Sequence, residues 1–256
     1  MEIQGKVAIV TGGASGIGRA TSEAFARRGG RVVIFDARAE IGATAAREIG
    51  EEHAHFIEVD VSDEDQVERG VRTAVERFGG VHVVVNAAGI PDAAHTVSRD
   101  GTPFPIETWN KVIGVNLTGS FNVARFAASA MLQNEPEGES GERGVILNVS
   151  SGAATQGQKG QVAYAASKAG VIGMVLPMAR DLAPHGIRVV AVAPGLFDTA
   201  MVAGLPEKIL EGLRRIPLFP QRMGSPEEFA ALACSVVEIP YLNATTIDLD
   251  AGARMT

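Results

Sequence analysis

The sequence predicts an α/β protein: a doubly wound parallel sheet of about seven strands with helices on both faces. Three observations predict it. Short apolar runs alternate with helical patterns from the first residues onward. The runs are rich in Val, Ile, Leu and Ala, which suits strands covered on both faces. A Gly-rich turn joins the first run to the first helical stretch, as in sheets that bind a ligand at that junction.

Lys6–Val10 is the first strand-like run, and Ile17–Arg28 has helical spacing. Arg31–Phe35 is apolar again, followed by the helical stretch Ala39–Ile49. His55–Val59 and Val81–Val85 are further strands, separated by the helical stretch Glu64–Phe78. Trp109–Met131 reads as helix with a bend near Gly119. Gly144–Val149 reads as strand, and Val162–Leu182 as a long helix with Pro177 as a kink point. Ile187–Ala193 is a strand ending at Pro194-Gly195. Ser225–Val237 is a helix with Ser225 as N-cap and Pro226 at its first position. Thr245–Leu249 is the last strand. Two polar insertions, Pro91–Pro105 and Gln133–Arg143, read as surface loops.

No linker or repeat divides the 256 residues, so 1–256 reads as one domain. Hydrophobic residues make up 46% and aromatics only 5%, so aliphatic side chains must fill the core. A formal charge of -7 with no Lys/Arg run argues against nucleic-acid binding. Cys234 is the single cysteine; no internal disulfide can form, and it reads as a small core residue. The N-terminal residues carry no signal-peptide pattern, and no uncharged apolar run is long enough to span a bilayer. These features read as a soluble cytoplasmic protein. His53, His55, His82, His95 and His185 lack metal-ligand spacing, so no metal is expected.

Thr11–Gly18 lies between the first strand and the first helix. Gly12, Gly16 and Gly18 remove side chains where backbone must approach a pyrophosphate and where helix packs on strand. The helix start at Ser15, Gly16 and Ile17 presents free N–H groups and partial positive charge to the anion. Asp36 follows at the end of the second strand. A carboxylate there accepts hydrogen bonds from ribose hydroxyls and repels a 2′-phosphate, which favours NAD over NADP; Ala37 puts no cation beside it, although Arg38 stands close.

Tyr164 and Lys168 are four apart in a helical stretch and share a face. A nearby ammonium stabilises a phenolate, making the pair a proton carrier for an alcohol or carbonyl oxygen while hydride moves at the adjoining carbon. By itself the spacing is also that of an ordinary surface pair. Ser150 and Ser151 follow a strand at its C-terminal end, where open parallel sheets place ligands. Asn116 is either a polar helix residue or a clamp on a water or backbone group near Lys168. Asn86-Ala87-Ala88-Gly89 ends the fourth strand with small residues that let a cofactor pass close.

These motifs, taken in order, resemble the short-chain dehydrogenase/reductase family from end to end. The resemblance implies a Rossmann-type single domain and a homotetramer. It implies Tyr164 as acid/base, Ser151 rather than Ser150 polarising the substrate oxygen, and Lys168 contacting the nicotinamide ribose and tuning Tyr164. Asn116 would support a proton relay through water. Asp60 and Val61 would meet the adenine; Asn86, Ala87, Gly89, Pro194, Gly195 and Phe197 would line the cofactor; Thr199 would meet the carboxamide. Gln133-Asn134-Glu135-Pro136, Ala179–Pro184 and Leu205-Pro206-Glu207-Lys208 further resemble the branch of type II 3-hydroxyacyl-CoA dehydrogenases, also called type 10 17β-hydroxysteroid dehydrogenases. That branch implies NAD-linked interconversion of (S)-3-hydroxyacyl-CoA and 3-ketoacyl-CoA. A CoA-free secondary alcohol or hydroxysteroid is the alternative substrate, and a non-catalytic scaffold on the same fold is the alternative of another class. Residues 196–224 are the expected substrate lid. Phe197, Met201, Leu205 and Leu213 would cover an acyl chain, and Lys208, Arg214, Arg215 and Arg222 would either meet CoA phosphates or face water.

Overall fold

The computed structural model describes residues 1–199 and 206–254. Its strands are β1 (Val7–Thr11), β2 (Arg31–Asp36), β3 (Ala54–Glu58), β4 (Val83–Asn86), β5 (Gly144–Val149), β6 (Ile187–Pro194) and β7 (Thr245–Leu249). They form one parallel sheet in the order β3-β2-β1-β4-β5-β6-β7. The order reverses between β1 and β4, and that switch opens a crevice at the C-terminal edge.

Alternation along each strand explains why both faces are covered. Ala8 and Val10 of β1 and Val145, Leu147 and Val149 of β5 belong to one core. Val7, Ile9 and Ile146 belong to the other. The first core is closed by helices α1 (Gly16–Arg27), α2 (Ala39–Ile49) and α8 (Pro226–Glu238), through Phe25, Ala45 and Phe229. The second is closed by α3 (Glu64–Phe78), α5 (Ser120–Met131) and α6 (Val162–Leu182), through Val71, Val123 and Val175. Each such aliphatic side chain contributes ~1.5–3 kcal/mol by leaving water. Cys234 is a buried free thiol in the first core, as expected.

The stretch expected as one bent helix is three pieces. Helix α4 (Ile106–Ile113) widens into a π-turn at Gly114–Gly119 and continues as α5. The expected bend near Gly119 lies at the end of this π-turn, which contains Asn116. Helix α6 runs through Pro177 without ending. Ser225 and Glu228 form a capping box that starts α8. The insertion 133–143 is mostly exposed, as expected of a surface loop, but it is pinned at Glu142, which is buried against the Arg188 guanidinium of β6 at 2.8 Å. Residues 162–185 are long and apolar enough to cross a membrane by length and composition alone. Lys168 interrupts that stretch, and α6 lies against β6 in the second core.

The expected lid is described in part. Helix α7 (Glu207–Arg214) lies within it, and Phe197 bridges to Gly224 at its ends. Met201 and Leu205 lie outside the described residues.

Candidate active site

Strand β1 delivers its chain directly into the phosphate turn. Gly12 has φ +62°, a left-handed conformation that favours glycine. A Cβ on Gly18 would stand 2.4 Å from the Gly12 carbonyl oxygen, so only glycine lets α1 start that close to the strand. The positive end of α1 is left open. Its N-cap Ser15 makes no side-chain cap bond, and its first turn holds no acid. Ile17 packs its side chain against the first core, leaving its backbone in the helix start. The turn and the open helix end fit a dinucleotide's pyrophosphate. Thr199 stands beside it: a Cβ on Gly16 would be 3.4 Å from the Thr199 methyl.

Asp36 ends β2 with its carboxylate buried. The sequence reading treats this acid as open to ribose hydroxyls, but the structure gives it a partner. Arg38 holds it through Nε at 3.0 Å and Nη2 at 3.1 Å, and the same Nη2 donates to Ser15 Oγ at 2.9 Å. The Arg38 side chain is 57% exposed, so this contact is an ion pair at the surface of the crevice.

The remaining predicted cofactor residues divide into backbone and side-chain cases. Ala87 and Ala88 abut Gly12, whose hypothetical Cβ would be 3.1 Å from Ala88 backbone. Asp60 is exposed and accepts hydrogen bonds from Ser62, whereas Val61 is buried against Gly119. Asn86 turns its amide inward, donating to Ser120 O at 3.0 Å and Asn148 Oδ1 at 2.9 Å. Pro194 ends β6, and Gly195 sits so close to Asp250 that a Cβ would be 2.9 Å from its Cα. Phe197 differs from its expected place over an acyl chain. It is 9% exposed and packs edge-on against Phe229, because the Leu196–Asp198 backbone pairs with Gly224 and turns the ring into the core.

The second cluster gathers at the ends of β4 and β5 and at the start of α6. Lys168 is buried and donates to the Val149 carbonyl at 2.8 Å, with Nζ 5.7 Å from the Tyr164 ring centre. Burial alone pulls its pKa down to about 8. Burial pushes the Tyr164 phenol up from its ordinary 10, opposed by a side-chain hydrogen bond with Ser151. The two serines separate by partner. Ser150 donates to the Lys168 carbonyl at 2.9 Å and is fully enclosed. Ser151 is the one at Tyr164.

Asn116 is a backbone clamp. Its Oδ1 accepts from Ile90 N–H at 2.8 Å, and its Nδ2 donates to Ile90 O and Ser167 Oγ, both at 3.0 Å. A Cβ on Gly89 would stand 3.4 Å from both Asn116 Oδ1 and Lys168 Nζ, so glycine keeps the space between them open. Sequence reasoning missed Ser167 and Asp92, both buried polar residues bonded to this cluster. Ser167 sits beside Lys168 in the motif helix, a signal within reach; a polar loop residue such as Asp92 carries none.

A sheet with a glycine turn at its switch point and a Ser–Tyr–Lys cluster on the same edge defines an oxidoreductase acting on CH–OH groups. The family model described as short chain dehydrogenase matches residues 6–210, and the chain belongs to that family. Human 3-hydroxyacyl-CoA dehydrogenase type-2 is 45% identical over 254 residues, covering 99% of this chain and 97% of that protein. A 3-oxoacyl-[acyl-carrier-protein] reductase FabG from Thermotoga maritima is 39% identical, covering 98% of this chain and 99% of that one. The crystal structure of 3-hydroxyacyl-CoA dehydrogenase type-2 from Mycobacterium avium superposes with a TM-score of 0.93 at 39% identity, covering 98% of this chain and 97% of that one. The family fold binds NAD or NADP.

Proposed function

We propose that the protein is an NAD-linked dehydrogenase interconverting (S)-3-hydroxyacyl-CoA and 3-ketoacyl-CoA. The observation that carries the chemistry is the Ser151–Tyr164 hydroxyl pair with the enclosed Lys168 ammonium beside the ring. The similarity to 3-hydroxyacyl-CoA dehydrogenases type-2 supports the substrate class. The Asp36 carboxylate at the end of β2 supports NAD over NADP.

When bound, the nicotinamide supplies the two-electron hydride acceptor or donor. Gly12, Gly16 and Gly18 would hold its pyrophosphate, and Gly89 the space beside Lys168. Ser151 holds the substrate oxygen next to the Tyr164 hydroxyl. In alcohol oxidation Tyr164 takes the hydroxyl proton; in ketone reduction it returns one. Burial opposes the phenolate, so a cation must offset it. Lys168 with a pKa of about 8 is still largely charged at neutral pH and faces the ring. Asn116 fixes the backbone at Ile90 and so keeps the chamber around Lys168 open.

The test is NADH oxidation with acetoacetyl-CoA and NADH formation with 3-hydroxybutyryl-CoA. Turnover of both is expected; absence of both, with rapid oxidation of a CoA-free alcohol, overturns the substrate assignment. One observation favours that second reading. Arg214 pairs with Glu207, and Arg222 with both oxygens of Glu228, so two of the four lid cations already have acidic partners. Replacing Lys208 and Arg215 separates the readings: a rise in KM for the CoA substrate supports phosphate contact at the lid. We also infer a homotetramer, supported by exposed Phe121 on α5 and Val162 and Leu176 on α6; sedimentation velocity reads it directly.

A further inference from the structure

Tyr164 and Lys168 hang from the first two turns of α6, and that helix does not cap itself. Gln161 at its N-cap makes no side-chain cap bond, and its first turn contains no acid. The cap arrives from another part of the chain. Asp92, in the loop after β4, accepts from Ala163 N–H through Oδ2 at 3.1 Å and from Tyr164 N–H through Oδ1 at 3.3 Å. Its residue exposure is 6%, so an acid from a polar loop has been drawn inside to meet two orphan helix donors.

The same segment is tied at both ends. Ile90, two residues earlier, is gripped by the Asn116 amide through both its N–H and its carbonyl. Ala94, two residues later, donates to Gly160 O at 3.1 Å and bridges Gln161 immediately before α6. Residues 90–94 therefore form a strap between the π-turn and the first turn of α6. The strap holds the backbone N–H of the residue whose phenol meets Ser151.

We propose that Asp92 is a positioning residue for the reaction. Its carboxylate fixes the first turn of α6 and so sets the Tyr164 hydroxyl against Ser151. The proposal rests on the reading of Tyr164 as the proton-transferring group. The pyrophosphate turn is built on β1 and α1 and not on the strap, which follows Gly89 beside Lys168.

The experiment compares Asp92→Ala and Asp92→Asn with the parent as full chains, with Tyr164→Phe alongside. It measures kcat and KM for acetoacetyl-CoA, NADH binding by fluorescence, the isotope effect on kcat with deuterated NADH, and Tm. In Asp92→Ala, kcat is expected to fall about 10–100-fold, the cost of a small misplacement of a reacting group. NADH affinity is expected to stay within about twofold, and the isotope effect to rise as chemistry becomes limiting. Asp92→Asn keeps one acceptor for the two N–H groups and is expected to recover part of kcat. A lowered Tm with kcat and isotope effect like the parent's overturns the proposal, because a simple staple would do only that. If Asp92→Ala does not fold, a parent-like kcat and isotope effect in Asp92→Asn overturns it equally. Full turnover in Tyr164→Phe removes the underlying reading; an inactive Tyr164→Phe beside parent-like Asp92 variants removes only the positioning role.

Discussion

The phosphate turn at Thr11–Gly18 and the Ser151–Tyr164 cluster stand on the same edge of one sheet but are built in opposite ways. The turn is backbone: glycines at 12, 16 and 18, an open helix end, and main chain from Ala87-Ala88 closing over it. All of it comes from β1, α1 and the end of β4. The reacting cluster is side chains drawn from four separated segments: Asp92, Asn116, Ser151 and the first turns of α6. A backbone site tolerates change poorly wherever a Cβ would collide. A side-chain site tolerates change wherever the group removed does not touch the reaction.

That contrast is broken most sharply by Tyr164→Phe, which leaves the turn untouched. Turnover should fall about 10²–10⁴-fold, the usual contribution of a general acid/base, while NADH fluorescence titration shows unchanged affinity. Loss of cofactor binding in this variant would mean the two regions are not separable. Gly18→Ala is the reverse experiment. Its methyl would meet the Gly12 carbonyl at 2.4 Å, so the turn must open. Overpacking of ~1–3 kcal/mol raises the cofactor Kd about 10–100-fold, measured by the same titration.

Lys168→Met sharpens the comparison through stability. Lys168 titrates at about 8 in the fold and at 10.5 as a free side chain. Between those values the unfolded chain binds the extra proton, so this group makes stability rise with pH there, and its charge costs stability below about 8. Methionine removes a penalty of ~3 kcal/mol but leaves the Val149 carbonyl without its donor, which takes back ~1–3 kcal/mol. A net gain on the order of 1 kcal/mol, a Tm rise of about 2–4 °C at pH 7, is expected together with lost turnover. The rise in stability with pH above about 8 should flatten. A lower Tm would mark the ammonium as a structural tie first.

Arg38→Ala has the smallest expected effect. It frees the Asp36 carboxylate from an exposed ion pair worth ~0–1 kcal/mol, so NAD affinity should improve by up to about fivefold while NADP affinity falls. Equal affinities before and after would show that Arg38 leaves the carboxylate without cost when a ribose arrives.

The seven strands, the helices between them, and the turn with its trailing acid were legible because each depends on neighbours within a short stretch of chain. Periodicity marks a buried strand wherever it falls, and Gly18 approaches Gly12 within the same short turn. Boundaries moved by a residue or two, as for β1 and β4. Four features needed the folded chain. The family resemblance singles out Ser151 over Ser150, but that Ser150 is spent on the Lys168 carbonyl while Ser151 meets Tyr164 is decided by packing. Phe197 looked like a lid residue until Phe229 gave it a place in the core. Arg38 stands close to Asp36 in the sequence, but only the fold turns its guanidinium back onto the carboxylate. Asp92 meets α6 across seventy-odd residues, a pairing no local pattern encodes, because a buried acid is decided by which orphan donors the fold leaves beside it.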